Sequence, residues 1–148
     1  MLLKPFTDVR MATGSIGCSP CAAAGAPDLP VDGFVIRSFC PRLYDFDPNA
    51  TPAPYNHSNV DSDEVIFYAS EDFMSRKGIE FGAITHHPDG IPHGPHPGRA
   101  EASIGQKETK ELAVMMDSFR PLKVAKQLAP IEDPTYHTSW IEAQDAMV

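Results

Sequence analysis

The chain is short of cysteine, of positive charge and of long apolar runs. Three cysteines in 148 residues, an odd number, cannot build the disulfide framework that staples small secreted domains. Lysine and arginine number 12 against 20 aspartates and glutamates, a net charge of −8. That excludes a broad basic surface for nucleic acid or anionic membrane. No stretch reaches the roughly 18 consecutive apolar residues of a membrane-spanning helix. The opening MLLKPFTDVR breaks its apolar residues at Lys4 and Pro5 and lacks the apolar middle of a secretory signal. A soluble, cytoplasmic protein is the expectation. Proline, by contrast, is abundant, with 15 residues, about twice its usual share of roughly 5%. Proline interrupts helices, which excludes a helical bundle or a coiled coil.

Three regions differ in composition. Residues 1–31 include GSIGCSPCAAAGAPDLP, small residues with no apolar period, and read as an irregular arm. Cys18 and Cys21 have CxxC spacing, but no second ligand pair follows as a zinc site requires. Residues 32–128 carry β-branched and aromatic runs bounded by turn residues: GFVIRSF, EVIFYA, FGAITH and LAVMMDSF. These predict strands, with shorter ones at Ala102–Ile104 and Leu122–Ala125. Lys107–Leu112 reads either as chain between strands or as the opening of a helix. Residues 129–148 form a proline-containing irregular tail, with Trp140 as a docking anchor. Short strands separated by turn signals predict an all-β fold, a sandwich or barrel.

Five of the six histidines, His57, His86, His87, His93 and His96, fall within forty residues of one another. Neutral imidazole is the commonest metal ligand near pH 7. His57 and Asn59 share a face if they lie on a strand, and Asp61, Asp63 and Glu64 follow closely. The Pro92-His93-Gly94-Pro95-His96 loop supplies the second histidine group. Two histidines and one carboxylate on one face leave positions open for a substrate and dioxygen, the arrangement of non-haem Fe(II) oxygenases. His86 alternates with His87 along a strand and should face the other way. His137 reads as an ordinary surface residue.

The strings PAPYNHSNVDSDEV, DFMSRKGIE, HPDGIPHGPHPG, EASIG and ELAVMMDSFRPL resemble the C-terminal part of homogentisate dioxygenases, bacterial ones especially. The resemblance runs from about Asp32 to Leu122. It implies a cupin-type, jelly-roll β-barrel with bound Fe(II), opening the ring of homogentisate with dioxygen to give maleylacetoacetate in tyrosine and phenylalanine breakdown. It implies His57 and His93 as iron ligands. A gapless count places the carboxylate ligand on Asp63, while the strand that follows places it on Glu64, the preferred assignment. His87 is implied near the substrate as a catalytic group and Asn59 as a substrate contact; Tyr55, His93 and His96 are further substrate-side candidates, His96 alternatively lying behind the ligands or facing solvent. Phe73 stands where some members carry tyrosine. The family's acid–base histidine precedes the first ligand, and this chain has no histidine before His57. The expectation is therefore either a working dioxygenase or a truncated metal-binding cupin without turnover. A barrel lacking the family's N-terminal region would expose a normally covered surface, so self-association into a homo-oligomer is expected.

Overall fold

The computed structural model describes residues 1–3, 29–31, 33–44 and 51–141. It is strand-rich. In chain order the strands are β1 (Leu2–Leu3), β2 (Leu29–Val31), β3 (Phe34–Phe39), β4 (Arg42–Leu43), β5 (Asp63–Tyr68), β6 (Ile84–His87), β7 (Glu108–Thr109), β8 (Ala113–Ser118) and β9 (Glu132–Asp133). Among the described residues, one five-residue helix, α1 (Arg99–Ser103), and two 3₁₀ segments, Lys126–Ile131 and Tyr136–Thr138, complete the elements. Seven strands make one sheet in the order β2-β3-β8-β5-β6-β1-β9, and β4 pairs with β7 separately. Every pairing is antiparallel. Among the described residues the sheet is open, with β2 and β9 at its edges. No helix among them is long and apolar enough to cross a membrane.

Register divides each strand into two faces. Glu64 lies opposite His87 on one side and Asp117 on the other; Ile66 lies opposite Thr85 and Met115; Tyr68 lies opposite Ala113. Directly opposed residues share a face and the side-chain period is two. One face therefore runs from a polar end (Glu64, His87, Asp117) to an apolar end (Ile66, Tyr68, Ala113, Met115). The apolar end is the core, covered by Phe73, Ile79 and Ala83 from the β5–β6 connection and by Tyr136 and Trp140 from the C-terminal segment. Phe73 meets Tyr68 edge-on at 4.8 Å and Phe39 at 5.5 Å, the geometry aromatic quadrupoles favour. Full burial of side chains such as Ile66 and Met115 contributes on the order of 1.5–3 kcal/mol each. The wholly buried Tyr68 keeps its hydroxyl paired with Thr85 Oγ1 at 2.9 Å, which avoids the penalty of an unsatisfied buried donor.

Several local expectations change. Ala102–Ile104 is not a strand. Gly98 turns the chain at φ 81°, and the Arg-Ala-Glu-Ala that follows favours helix, giving α1. Leu122–Ala125 forms no strand: β8 already has β3 and β5 beside it, and the Leu122 N–H donates to the Asp63 carboxylate at 2.6 Å instead. Lys107–Leu112 opens no helix; it contains β7, which pairs with β4. The third predicted strand starts at Ile84, because Gly82 (φ 82°) turns the chain and its N–H bonds back to the Tyr68 carbonyl. Within the stretch read as an arm, Leu2–Leu3 and Leu29–Val31 pair into the sheet. Cys18 and Cys21 lie outside the described residues.

Candidate metal centre

Two backbone segments meet above the polar end of the sheet face. His57 and His93 form an isolated antiparallel bridge, each N–H donating to the other's carbonyl at 2.8 Å. The approach depends on Gly94. A Cβ there would fall 2.0 Å from Asn56 Oδ1 and 2.8 Å from Asn56 Cα, so any side chain would force the segments apart. β5 delivers Glu64 from below. The ligand-capable atoms of His57, Glu64 and His93 all lie within 4.8 Å of one another.

The hydrogen bonds leave the nitrogens facing this cluster free to donate a lone pair. His57 Nδ1 is 2.9 Å from the Tyr55 carbonyl, and His93 Nδ1 is 3.0 Å from the Ile91 carbonyl. A carbonyl only accepts, so each Nδ1 carries the proton and each Nε2 is the unprotonated atom of a neutral ring. Metal-ligating histidines are held by such outer contacts. His93 Nε2 is buried without a hydrogen-bond partner and lies 3.5 Å from Glu64 Oε2. A buried, orphaned ring nitrogen beside a carboxylate fits a metal ion, whose charge and vacant orbitals would satisfy both. Two histidines and one carboxylate match the facial set that holds non-haem Fe(II).

Electrostatics sharpen the arrangement. Burial alone would raise the Glu64 pKa, but the hydrogen bond from His87 and the closeness of the His93 ring outweigh it and hold the carboxyl well below the usual range. Glu64 is thus an anion at any physiological pH. Burial lowers the His87 pKa to about 4, against the pull of Glu64, so His87 is neutral. Its Nδ1 sits 2.7 Å from Glu64 Oε1, its ring stacks on His93 at 4.5 Å, and its Nε2 is buried and unpartnered. For His93, burial lowers the pKa, but Glu64 and the Ile91 carbonyl raise it more, for a net increase.

Asp63, the other acid considered, faces away. Its oxygens accept from the Asp89 N–H at 2.9 Å and the Leu122 N–H at 2.6 Å, and pair with His86 Nε2 at 3.1 Å. His86 is accordingly on the face opposite His87.

A cavity of about 360 Å³ opens beside the cluster. His57, Asn59 and Glu64 form part of its wall; Ile66, Phe73 and Met115 line its apolar side; Arg37, Arg42 and Arg76 bring cations. Two of these cations are paired, Arg37 with Asp117 at 3.5 Å and Arg42 with Glu111 at 3.1 Å. Tyr55 is exposed and meets His57 edge-on at 6.0 Å. His87 is not part of the wall and reaches the cavity through Glu64. His96 is not solvent-facing, being only 2% exposed. Its Nδ1 accepts from the Lys77 N–H, its Nε2 pairs with Ser139 Oγ, and its ring lies 4.1 Å from that of Trp140. His137 is exposed at the surface. Sequence reasoning missed Arg76, Arg37 and Asp117. Alternation along Ala113, Met115 and Asp117 could have found the last; Arg76 sits on a turn, where no period marks it.

No family model matches the chain. Over 144 residues it is 41% identical to a protein of Saccharolobus solfataricus named "Putative dioxygenase SSO1533". The matched stretch is 93% of this chain and 37% of that relative, so the chain spans little more than a third of the relative's length.

Proposed function

We propose that the chain is the metal-binding part of a ring-cleaving dioxygenase, with Fe(II) held by His57, Glu64 and His93 and homogentisate as the substrate. The observation that carries this reading is the convergence of one ring nitrogen each from His57 and His93 and one Glu64 carboxylate oxygen within 4.8 Å. The name of the Saccharolobus solfataricus relative supports oxygenase chemistry, and the sequence strings that resemble homogentisate dioxygenases support the substrate. The strand-rich sheet is compatible with a cupin-type barrel.

Bound Fe(II) would supply Lewis-acid chemistry and a path for electrons from an aromatic hydroxy acid to dioxygen. The chain's own residues do the rest. His57 and His93 present unprotonated nitrogens because backbone carbonyls fix their tautomers. Glu64 supplies one negative charge, and the His87 Nδ1–H keeps its carboxylate from rotating. His87 acts here as a positioning residue, through Glu64. Ile66, Phe73 and Met115 offer an aromatic ring an apolar wall that excludes water. Asn59 lies in the same wall as a hydrogen-bonding side chain, and Tyr55 stands outside it beside His57.

The test is anaerobic loading with Fe(II), followed by oxygen uptake on adding homogentisate. One iron per chain, lost in His57→Ala and Glu64→Gln, with uptake and ring-opened product, is the expected result. A chain that takes up no iron refutes the reading. In the same experiment a second reading, a metal-binding cupin without turnover, has a distinct outcome. Stoichiometric iron without oxygen uptake would select it.

A further inference from the structure

We infer that Arg76 is a positioning residue of this centre: its guanidinium clasps the His93–Gly94 backbone and ties it to the C-terminal segment Tyr136–Trp140. Its purpose depends on the metal-centre reading above; its contacts do not.

Arg76 is 4% exposed. Among the described residues no carboxylate forms an ion pair with it. A buried guanidinium is costly unless its charge is well used. Here one Nη donates to the Gly94 carbonyl, the residue directly after His93. The cation lies 5.4 Å from the centre of the Trp140 ring, within cation–π range. Its charge also acts on the buried hydroxyls of Tyr68 and Tyr136. The sheet, the histidine loop and the C-terminal segment thus converge on one charge.

The residues flanking Arg76 complete the clasp. The Ser75 carbonyl accepts from the His96 N–H at 2.8 Å, and the Lys77 N–H donates to His96 Nδ1 at 2.8 Å. His96 Nε2 then pairs with Ser139 Oγ at 2.9 Å. Residues 75–77 therefore hold the 94–96 segment at three points, and the C-terminal segment backs it at a fourth. On its other side Gly94 is pressed against Asn56. His93 hangs between this clasp and its bridge to His57, so its ring position is set from both directions. Packing alone would be served by an apolar side chain of similar length. The polar contacts instead fix one backbone carbonyl, one residue from a proposed ligand.

The experiment is amide hydrogen exchange on the metal-free chain, followed by Co(II) titration, for wild type, Arg76→Met and Arg76→Lys. Arg76→Met is expected to speed exchange at the His57 and His93 amides by about tenfold or more, while the central β5 and β8 amides keep their protection. It should weaken Co(II) binding by about 10–100-fold, the range for lost outer contacts, and Arg76→Lys should recover part of both. If Arg76→Met does not fold, Ser139→Ala and Trp140→Phe loosen the clasp from the far side and should speed exchange at His57 and His93 selectively. Unchanged exchange at those two amides, or equal loss across β5 and β8, overturns the inference. Selective loss in a chain that binds no Co(II) would support the clasp and refute the metal reading.

Discussion

Asp63 and Glu64 are neighbours with opposite tasks because strand side chains alternate. Asp63 anchors backbone: it ties the β6–loop junction and the segment after β8 to β5 through two N–H donors and His86. Glu64 faces His57, His87 and His93. Glu64→Gln is therefore expected to weaken Co(II) binding by at least about 100-fold, beyond the loss usual for outer contacts, while leaving the fold intact. Asp63→Asn should do the reverse. It removes charge from three bonds and should cost about 1–3 kcal/mol, read by urea unfolding, with Co(II) affinity nearly unchanged. A large affinity loss in Asp63→Asn with none in Glu64→Gln would sink the assignment. Much of this was legible in sequence. The strand pattern of EVIFYA chose Glu64 over the gapless count, and alternation separated His86 from His87. The roles of Arg76 and His96 were not legible, because both depend on contacts with Ser139 and Trp140 more than forty residues away.

At the level of elements, the centre depends on two irregular segments approaching closely over a regular sheet. β3, β5, β6 and β8 were visible as β-branched runs, since half-buried strands declare themselves by composition and period. The isolated bridge between His57 and His93 was not, because a single pair has no period. Nor was α1, where a left-handed Gly98 followed by helix formers outweighed the expectation of another strand. The bridge gives a sharp contrast between two glycines of one loop. Gly94→Ala places a methyl against Asn56 backbone. It should destabilise by about 1–3 kcal/mol, as overpacking does, and weaken Co(II) binding together with stability. Gly90 has φ +71° and open space around its Cβ position. Gly90→Ala should cost about 1–2 kcal/mol for the left-handed backbone and leave Co(II) affinity alone. Equal effects of the two substitutions on affinity would mean that the loop conformation, and not the close approach, governs the centre.

Across the molecule, the buried titratable groups among the described residues gather on a few strands and loops, and the response to acid follows from how each is shifted. His87 and His96 are both pushed by burial from an ordinary 6.5 to about 4. They are neutral when folded and protonated when unfolded between those values. The unfolded chain therefore binds more protons in that window, and stability falls as pH drops from about 6.5 towards about 4. His93 works the other way, its pKa being raised in the fold; it adds stability below 6.5 and gives it up as pH rises. The large downward shifts of His87 and His96 set the expected net direction. Asp63 and Glu64, both held below their ordinary values, stabilise the fold above the usual carboxylate range and withdraw that support on further acidification. Thermal unfolding of the metal-free chain should thus show a melting temperature that declines from pH 6.5 to pH 4.5 and drops more steeply below. His96→Gln should flatten the upper part of the decline, because it removes one of the two neutral buried rings while an amide can still pair with Ser139. A melting temperature that rises on acidification through this window would mean that His93, and not His87 and His96, dominates the balance. Metal should steepen the acid sensitivity, since protons compete for the same ligands. The difference between the metal-loaded and metal-free profiles then measures the centre separately from the fold that carries it.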